Sequence, residues 1–454
     1  MDEPGAATST LRSVARAILE DAFRNSRGSE RKMVANFPAT SRLSEIEVLS
    51  RFAWAKRQGA PNWLWPETSV LAWQGALVEI ESVTRQILDG GRCDVTEDRR
   101  PEDFGIAAYT SGMGPLLGHW LSAGSLGAPP GIEEVLALHY SQNRIRMKRL
   151  AERACRIVEH LTERGVDVTV LKGMDTAFSF FPTPGTRSTS DIDLLIPPGQ
   201  KQLAEKCLRE MGFLPEHASR VPDEQFWRHV SSPVLPQSLS YVHQDDPWGV
   251  DLHTSTNRRY GAGAPIIRLD DLIAKTATDR WSLCRRARTL APAGSILFLA
   301  CHAGCHFSNL RMIRLVELVF AIRHDCARRE WNWNDVIDLG MQTSTLSSAY
   351  AALALADDLA PGIVPAGALE NCRTKAPGTV VEIVSGLSPA TAHCIRRISL
   401  RERYMWTSSW YGWIRQLFFD IFPADRPIGW WVELLKIRFW KVVRGRVSID
   451  SLTS

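Results

Sequence analysis

Two aspartates set one residue apart, in Ser190-Asp191-Ile192-Asp193-Leu194-Leu195-Ile196, carry the strongest chemical signal in the chain. On a β-strand, side chains two apart share a face, so Asp191 and Asp193 project together while Ile192 and Leu194 point into apolar packing. Two carboxylates placed this way can grip a hard divalent cation. The bland alternative is a pair of acids on a solvated strand face. Asp is disfavoured in strands, however, and two on one face repel each other unless a cation relieves them. Gly249-Val250-Asp251-Leu252-His253 alternates in the same way and puts Asp251 and His253 on one face. If the two strands are neighbours, Asp191, Asp193 and Asp251 converge on a two-metal site, which activates an attacking oxygen and neutralises a leaving phosphate.

Upstream, Val170-Leu171-Lys172-Gly173-Met174 joins strand to helix. Gly173 lets the backbone approach a phosphate closely, and Lys172 can add a point charge. A solvated turn lysine is the plain alternative. Arg187 stands four residues before Asp191 and is a candidate triphosphate clamp, with Ser188 and Ser190 as hydrogen-bond donors.

The elements that must position these residues follow from periodicity. Helical spacing from Ile132 to Arg164 stops at Gly165, and the period then changes to two over Val166, Val168 and Val170. A short helix over MDTAFSFF, a strand over Ser190–Ile196 and a helix over Lys201–Met211 come next. Strands around Leu239–His243 and Gly249–Thr254 are expected to form a hairpin about Asp245, Asp246 and Pro247. Helical patterns flank this unit on both sides. The expected fold is α+β and mostly helical, with a small mixed-sheet core between N- and C-terminal helical domains. The expected divisions are a loosely ordered 1–35, helical 36–140, an α/β core 141–260, helical 261–400, and a Trp-rich basic segment 401–454.

Taken together, LKG…R-x-x-S-D-I-D-L…V-D-L-H resembles the DNA polymerase beta-like nucleotidyltransferase superfamily. More closely, it is similar to a bacterial group described as uncharacterised nucleotidyltransferases. The likeness takes in MKRLAERACRIVEHLTERGVDVTVLKG and LFLACHAGCHFSNLRMIRLVELVFAIR, with a tryptophan after the latter at Trp331 or Trp333, and covers roughly residues 105–350. The resemblance implies that Asp191 and Asp193 are the metal-binding acid pair. Asp251 would be the third acid, which binds the catalytic metal and helps deprotonate the acceptor, and Gly173 would belong to the turn that holds the nucleotide's phosphates. It further implies two Mg²⁺ ions, ATP or another nucleoside triphosphate as donor, and a hydroxyl acceptor on a small molecule, peptide or protein. Two features depart from the better-known members: Lys172-Gly173-Met174 replaces a Gly-Gly or Gly-Ser turn, and residues 174–190 separate that turn from the acid pair. A non-catalytic nucleotide-binding or scaffold protein of the same fold, and phosphoryl instead of nucleotidyl transfer, are the alternatives.

Other motifs point less sharply. Cys301-His302-Ala303-Gly304-Cys305-His306 puts its histidines and cysteines on different helix faces, so it reads as a packed helix with small core thiols and not a zinc site; the histidines could line a nucleotide cavity. The clusters Arg144-Ile145-Arg146-Met147-Lys148-Arg149 and Arg285-Arg286-Ala287-Arg288 could face phosphates, but such runs are more often solvated helix faces, which is the expectation here. Over 454 residues a net charge of +4 gives no strong nucleic-acid signal. Hydrophobic residues at 44% exclude wholesale disorder, and no apolar run is long enough to span a bilayer. An acidic N-terminus without an apolar leader and nine scattered cysteines suggest a cytoplasmic protein with reduced thiols. Near the end, Trp406, Trp410, Trp413, Trp430, Trp431 and Trp440 accompany Arg438, Lys441, Arg444 and Arg446. Packing onto the helical domain is the favoured role for this segment, and peripheral contact with a membrane or a protein is the alternative.

Overall fold

A computed structural model describes residues 64–65, 67–216, 223–233, 236–260, 264–305, 310–328, 331–393, 404–407 and 409–421. Expectations for 1–35, for His306 and for Trp430, Trp431 and Trp440 with their basic neighbours lie outside the described residues. The fold is α+β and mostly helical, as the periodicity predicts. Helices α1 (Val70–Leu88), α2 (Pro101–Ser111) and α3 (Gly114–Ser122) form the N-terminal part. A parallel pairing of Cys93–Asp94 with Leu126–Gly127 adds two short strands that residue alternation does not reveal.

Helix α4 (Pro130–Glu163) links the two parts of the molecule. Proline at its first turn needs no hydrogen-bonded N–H, and Gly165 beyond its end adopts φ +84°, which a glycine takes without strain. Its 34 residues span about 50 Å at 1.5 Å each. Ile132 and Leu136, near its start, join a core with α1–α3, and Gly118 of α3 packs so close that a β-carbon there would strike the Leu136 carbonyl. Met147, Leu150, Ala154, Ile157, Val158 and Leu161, farther along, belong to a second core beneath the sheet.

That sheet has seven strands. Chain order gives β1 (Thr169–Val170), helix α5 (Met174–Ser179), β2 (Asp191–Leu195), helix α6 (Lys201–Glu210), β3 (Phe213–Pro215), β4 (Glu224–His229) and β5 (Gly249–His253). Helix α7 (Leu269–Thr276), β6 (Asp279–Arg280) and β7 (Arg288–Thr289) follow. The spatial order is β6-β7-β1-β2-β5-β4-β3. Pairing is parallel for β2 with β5 and for β7 with β1, and antiparallel elsewhere, so the sheet is mixed. Ile192, Leu194, Val250 and Leu252 are all buried in the core under it.

Two strand expectations are corrected. The regular strand after α4 is confined to Thr169–Val170, although Val166 and Val168 are buried as their alternation requires. The hairpin partner of β5 is Glu224–His229, and residues 239–243 form no strand. Asp246 instead shapes the approach to β5 by accepting from the backbone N–H groups of Gln237 and His243.

Helices α8 (Pro292–Cys305), α9 (Met312–Arg328), α10 (Trp333–Thr343) and α11 (Leu346–Leu359) build the part that follows. Their buried residues join those of α1–α3 in one continuous core, so helices that precede and follow the sheet segment in the chain pack together. Trp406 is buried in that core, in keeping with packing, whereas Trp410 and Trp413 on α12 (Trp410–Ile421) are exposed. No helix among the described residues is long and apolar enough to cross a membrane.

One buried acid gives a stability prediction. Burial raises the Asp175 carboxyl on α5 to about 6, against the pull of hydrogen bonds from Thr289 and Ser179. A folded-state value above the unfolded one penalises the charged form, so this cost grows as pH rises from 3.8 to about 6, reaching roughly 3 kcal/mol. Asp175→Asn is therefore expected to be more stable than wild type at pH 8 and indistinguishable from it near pH 4. Urea unfolding at the two pH values checks this, and an equal difference at both contradicts it.

Candidate active site

The parallel register of β2 and β5 sets Asp193 directly beside Asp251. Residues paired across parallel strands share a face, so Asp191, Asp193, Asp251 and His253 all stand on the side opposite the buried Ile192 and Leu194. Asp193 is buried, and Lys172 Nζ lies 2.6 Å from its Oδ1. His253 Nε2 lies 3.5 Å from the same oxygen and 3.4 Å from Asp251 Oδ2. Burial would raise the Asp193 carboxyl, but Lys172 and His253 outweigh it and hold the group down at about 2. Burial would lower His253, yet hydrogen bonding to Asp193 and Asp251 lifts it to about 9. Lys172 is likewise raised, its burial outweighed by Asp193 and Asp191. Two protonated side chains thus stand in for positive charge between the carboxylates.

Asp193, Asp251 and His253 present ligand atoms all within 4.8 Å of one another. Asp251 Oδ1 is buried without a hydrogen-bond donor. Paired carboxylates that need cations, one with an oxygen left unmatched, fit a divalent ion. Asp191 stands outside that close trio, with its Oδ1 accepting from Thr189 Oγ1 at 3.1 Å.

These acids edge a cavity of about 460 Å³ between the sheet and the helices, within the range of small-molecule sites. Lys172, Gly173, Arg187, Ser188, Ser190, Asp191 and Asp193 line it, while Asp251 sits beside Asp193 off the cavity wall. Lys172 and Gly173 both adopt positive φ, +23° and +28°. For lysine this is a strained conformation, of the kind folded chains keep at functional turns. A β-carbon at Gly173 would stand 3.0 Å from Thr189 Oγ1 and 3.6 Å from Asp193 Oδ2, so only glycine leaves the space before the acids open.

Arg187 meets Glu317 of α9 in a two-pronged pair, Nε to Oε1 and Nη2 to Oε2, both at 3.1 Å. It also donates to the Ser188 carbonyl, and Thr176 donates to Glu317. Both ion-pair partners are largely buried. Arg187→Met leaves Glu317 uncompensated and is expected to cost about 3–5 kcal/mol in urea unfolding. Arg187→Met/Glu317→Met is expected to recover most of that loss, and a double variant no more stable than the single would contradict the pairing.

Several site residues escaped the sequence reading. The solvated-face expectation is corrected for Arg146, which is buried and donates to the carbonyls of Thr189, Asp246 and Pro247 at 3.2, 2.6 and 2.7 Å. It ties the strand entering Asp191 to the turn entering β5. Arg311, Arg314 and Glu317 also reach the cavity; their i, i+3, i+6 spacing inside an apolar run was the available signal. His253 was visible as the same-face neighbour of Asp251. Trp65, Trp73 and Tyr109 add aromatic wall, and His302 lines the cavity. Cys301 is buried, with Sγ 3.5 Å from the Thr345 carbonyl oxygen, as a core thiol would be.

A family model described as "Uncharacterised nucleotidyltransferase" matches residues 97–361, more than half of the chain and all of the acid strands and the cavity's sheet side. No curated protein and no solved structure matches the chain.

Proposed function

The chain belongs to the uncharacterised nucleotidyltransferase family, and from that premise we propose that it moves a nucleoside monophosphate, AMP from ATP, onto a hydroxyl acceptor and releases pyrophosphate. The observation that carries this reading is Asp193 at a cavity also lined by lysine and arginine, with Asp251 directly beside it on the next strand. Asp191, Asp193 and Asp251 are the residues that would hold two Mg²⁺ ions. Bound Mg²⁺ supplies charge neutralisation to the phosphates and lowers the proton affinity of an attacking hydroxyl.

The chain's own residues do the rest. The Lys172-Gly173 turn leaves room for the phosphate chain, while Ser188 and Ser190 offer hydroxyl donors along the cavity edge. Arg187, fixed by Glu317, keeps a guanidinium there in one orientation. Fixed charges of this kind need no rearrangement as charge builds up in the transition state. Asp251, with one oxygen lacking a donor, can accept the acceptor's proton. The aromatic wall of Trp65, Trp73 and Tyr109 forms the acceptor side and excludes water.

Incubation with α- and γ-labelled ATP, Mg²⁺ and a cell extract tests the reading. It expects α-label on an acceptor and free pyrophosphate. Transfer of γ-label with release of ADP supports phosphoryl transfer instead. Mg²⁺-nucleotide binding with neither transfer supports a non-catalytic nucleotide-binding protein.

A further inference from the structure

The cations around the cavity are unequally matched. Lys172 has Asp193, Arg187 has Glu317, and Arg146 has three carbonyls. Arg311 and Arg314 line the same cavity, yet their guanidinium groups have neither a hydrogen bond nor an ion pair with any described residue. Arg314 Nη1 is buried with no acceptor. Burial, then the repulsion of Arg311 and Arg187, lowers Arg314 to about 10 against the weaker attraction of Glu317 and Asp191; burial also lowers Arg311. Both remain cationic at neutral pH.

Desolvated like charges are costly to hold together unless an anion joins them. Arg311 precedes α9 and Arg314 lies in its first turn, in a short stretch fixed by the Arg314 N–H to Arg311 carbonyl bond. Asp191 is close enough to act electrostatically on both. An anion held by this pair would therefore lie beside the acid strand and facing it.

We propose that Arg311 and Arg314 bind the terminal two phosphates of the donor nucleotide, the portion that leaves as pyrophosphate. Two guanidinium groups provide paired N–H donors for phosphate oxygens, a match a single lysine cannot make. The identity of the anion rests on the nucleotidyltransferase reading; the existence of the anion site does not. The pair positions the leaving group.

The test uses the full chain with inorganic pyrophosphate and EDTA, followed by calorimetry and thermal melting. Wild type is expected to bind pyrophosphate and melt at a higher temperature with it. Arg314→Met is expected to weaken binding roughly tenfold or more and lose the thermal shift. Without ligand it should melt no lower than wild type, since it removes a desolvated, repelled cation; a purely structural arginine would lower that temperature. Arg311→Met should act alike, and Arg314→Lys, keeping charge without the fork, should fall between. Undiminished pyrophosphate binding by both methionine variants overturns the proposal, as does failure of the wild type to bind. Retained pyrophosphate binding with no α-label transfer sinks the enzymatic reading and leaves the anion site standing. Label transfer with Arg-independent pyrophosphate binding does the reverse.

Discussion

Asp193→Asn is expected to lower nucleotidyl transfer by about 10³-fold or more while the protein stays folded. Asp193 is the most constrained of the three acids: buried, in register with Asp251, and held at about 2 by Lys172 and His253 despite its burial. Asparagine keeps the shape and discards the charge, so it removes the group best placed to neutralise cations between the two strands. The change also leaves the Lys172 ammonium without its 2.6 Å partner, and stability should fall by about 3 kcal/mol. Circular dichroism and urea unfolding separate that loss from the catalytic one. Near-normal transfer by folded Asp193→Asn would show that this carboxylate is not a metal ligand.

A different pattern is expected for Asp251→Asn. Asp251 stands beside Asp193 but off the cavity wall, so it has little to contribute to holding the nucleotide. The turnover rate should fall about 10²–10⁴-fold while KM for the nucleotide changes only a few-fold, the mark of a group used in the transition state. Measuring both constants with the extract-derived acceptor checks this. A large rise in KM with an unchanged rate would place Asp251 in ground-state binding instead.

The acid strands were legible because a strand's period of two fixes a side chain's face without reference to the rest of the fold. Asp191 with Asp193, and Asp251 with His253, came from that rule, and the β2–β5 pairing then supplied the long-range step. The partner of β5 was not legible. Glu224–His229 has its apolar residues, Phe226 and the buried Trp227, side by side between polar ones, so it does not alternate, while the apolar Leu239–His243 sits next to a clear turn signal. Turn chemistry there was real, but Asp246 spends it on Gln237 and His243, not on a hairpin.

Arg146 shows a second limit. Within a run of basic residues it is indistinguishable from solvated neighbours until the carbonyls of Thr189, Asp246 and Pro247 are brought to it by distant parts of the chain. The shared core of N- and C-terminal helices was illegible for the same reason, since apolar helix faces do not name their partners. Arg311 and Arg314 were readable in principle, as charges recurring at helical spacing on an otherwise apolar stretch.

The proposed chemistry requires a divalent ion between β2 and β5. Crystals grown with Mn²⁺ and a non-hydrolysable ATP analogue, measured at the manganese edge, test this directly. An anomalous peak within bonding distance of Asp193 and Asp251 carboxylate oxygens, lost in Asp193→Asn, is the expected result. Ordered nucleotide in the cavity with no manganese beside either carboxylate would contradict it.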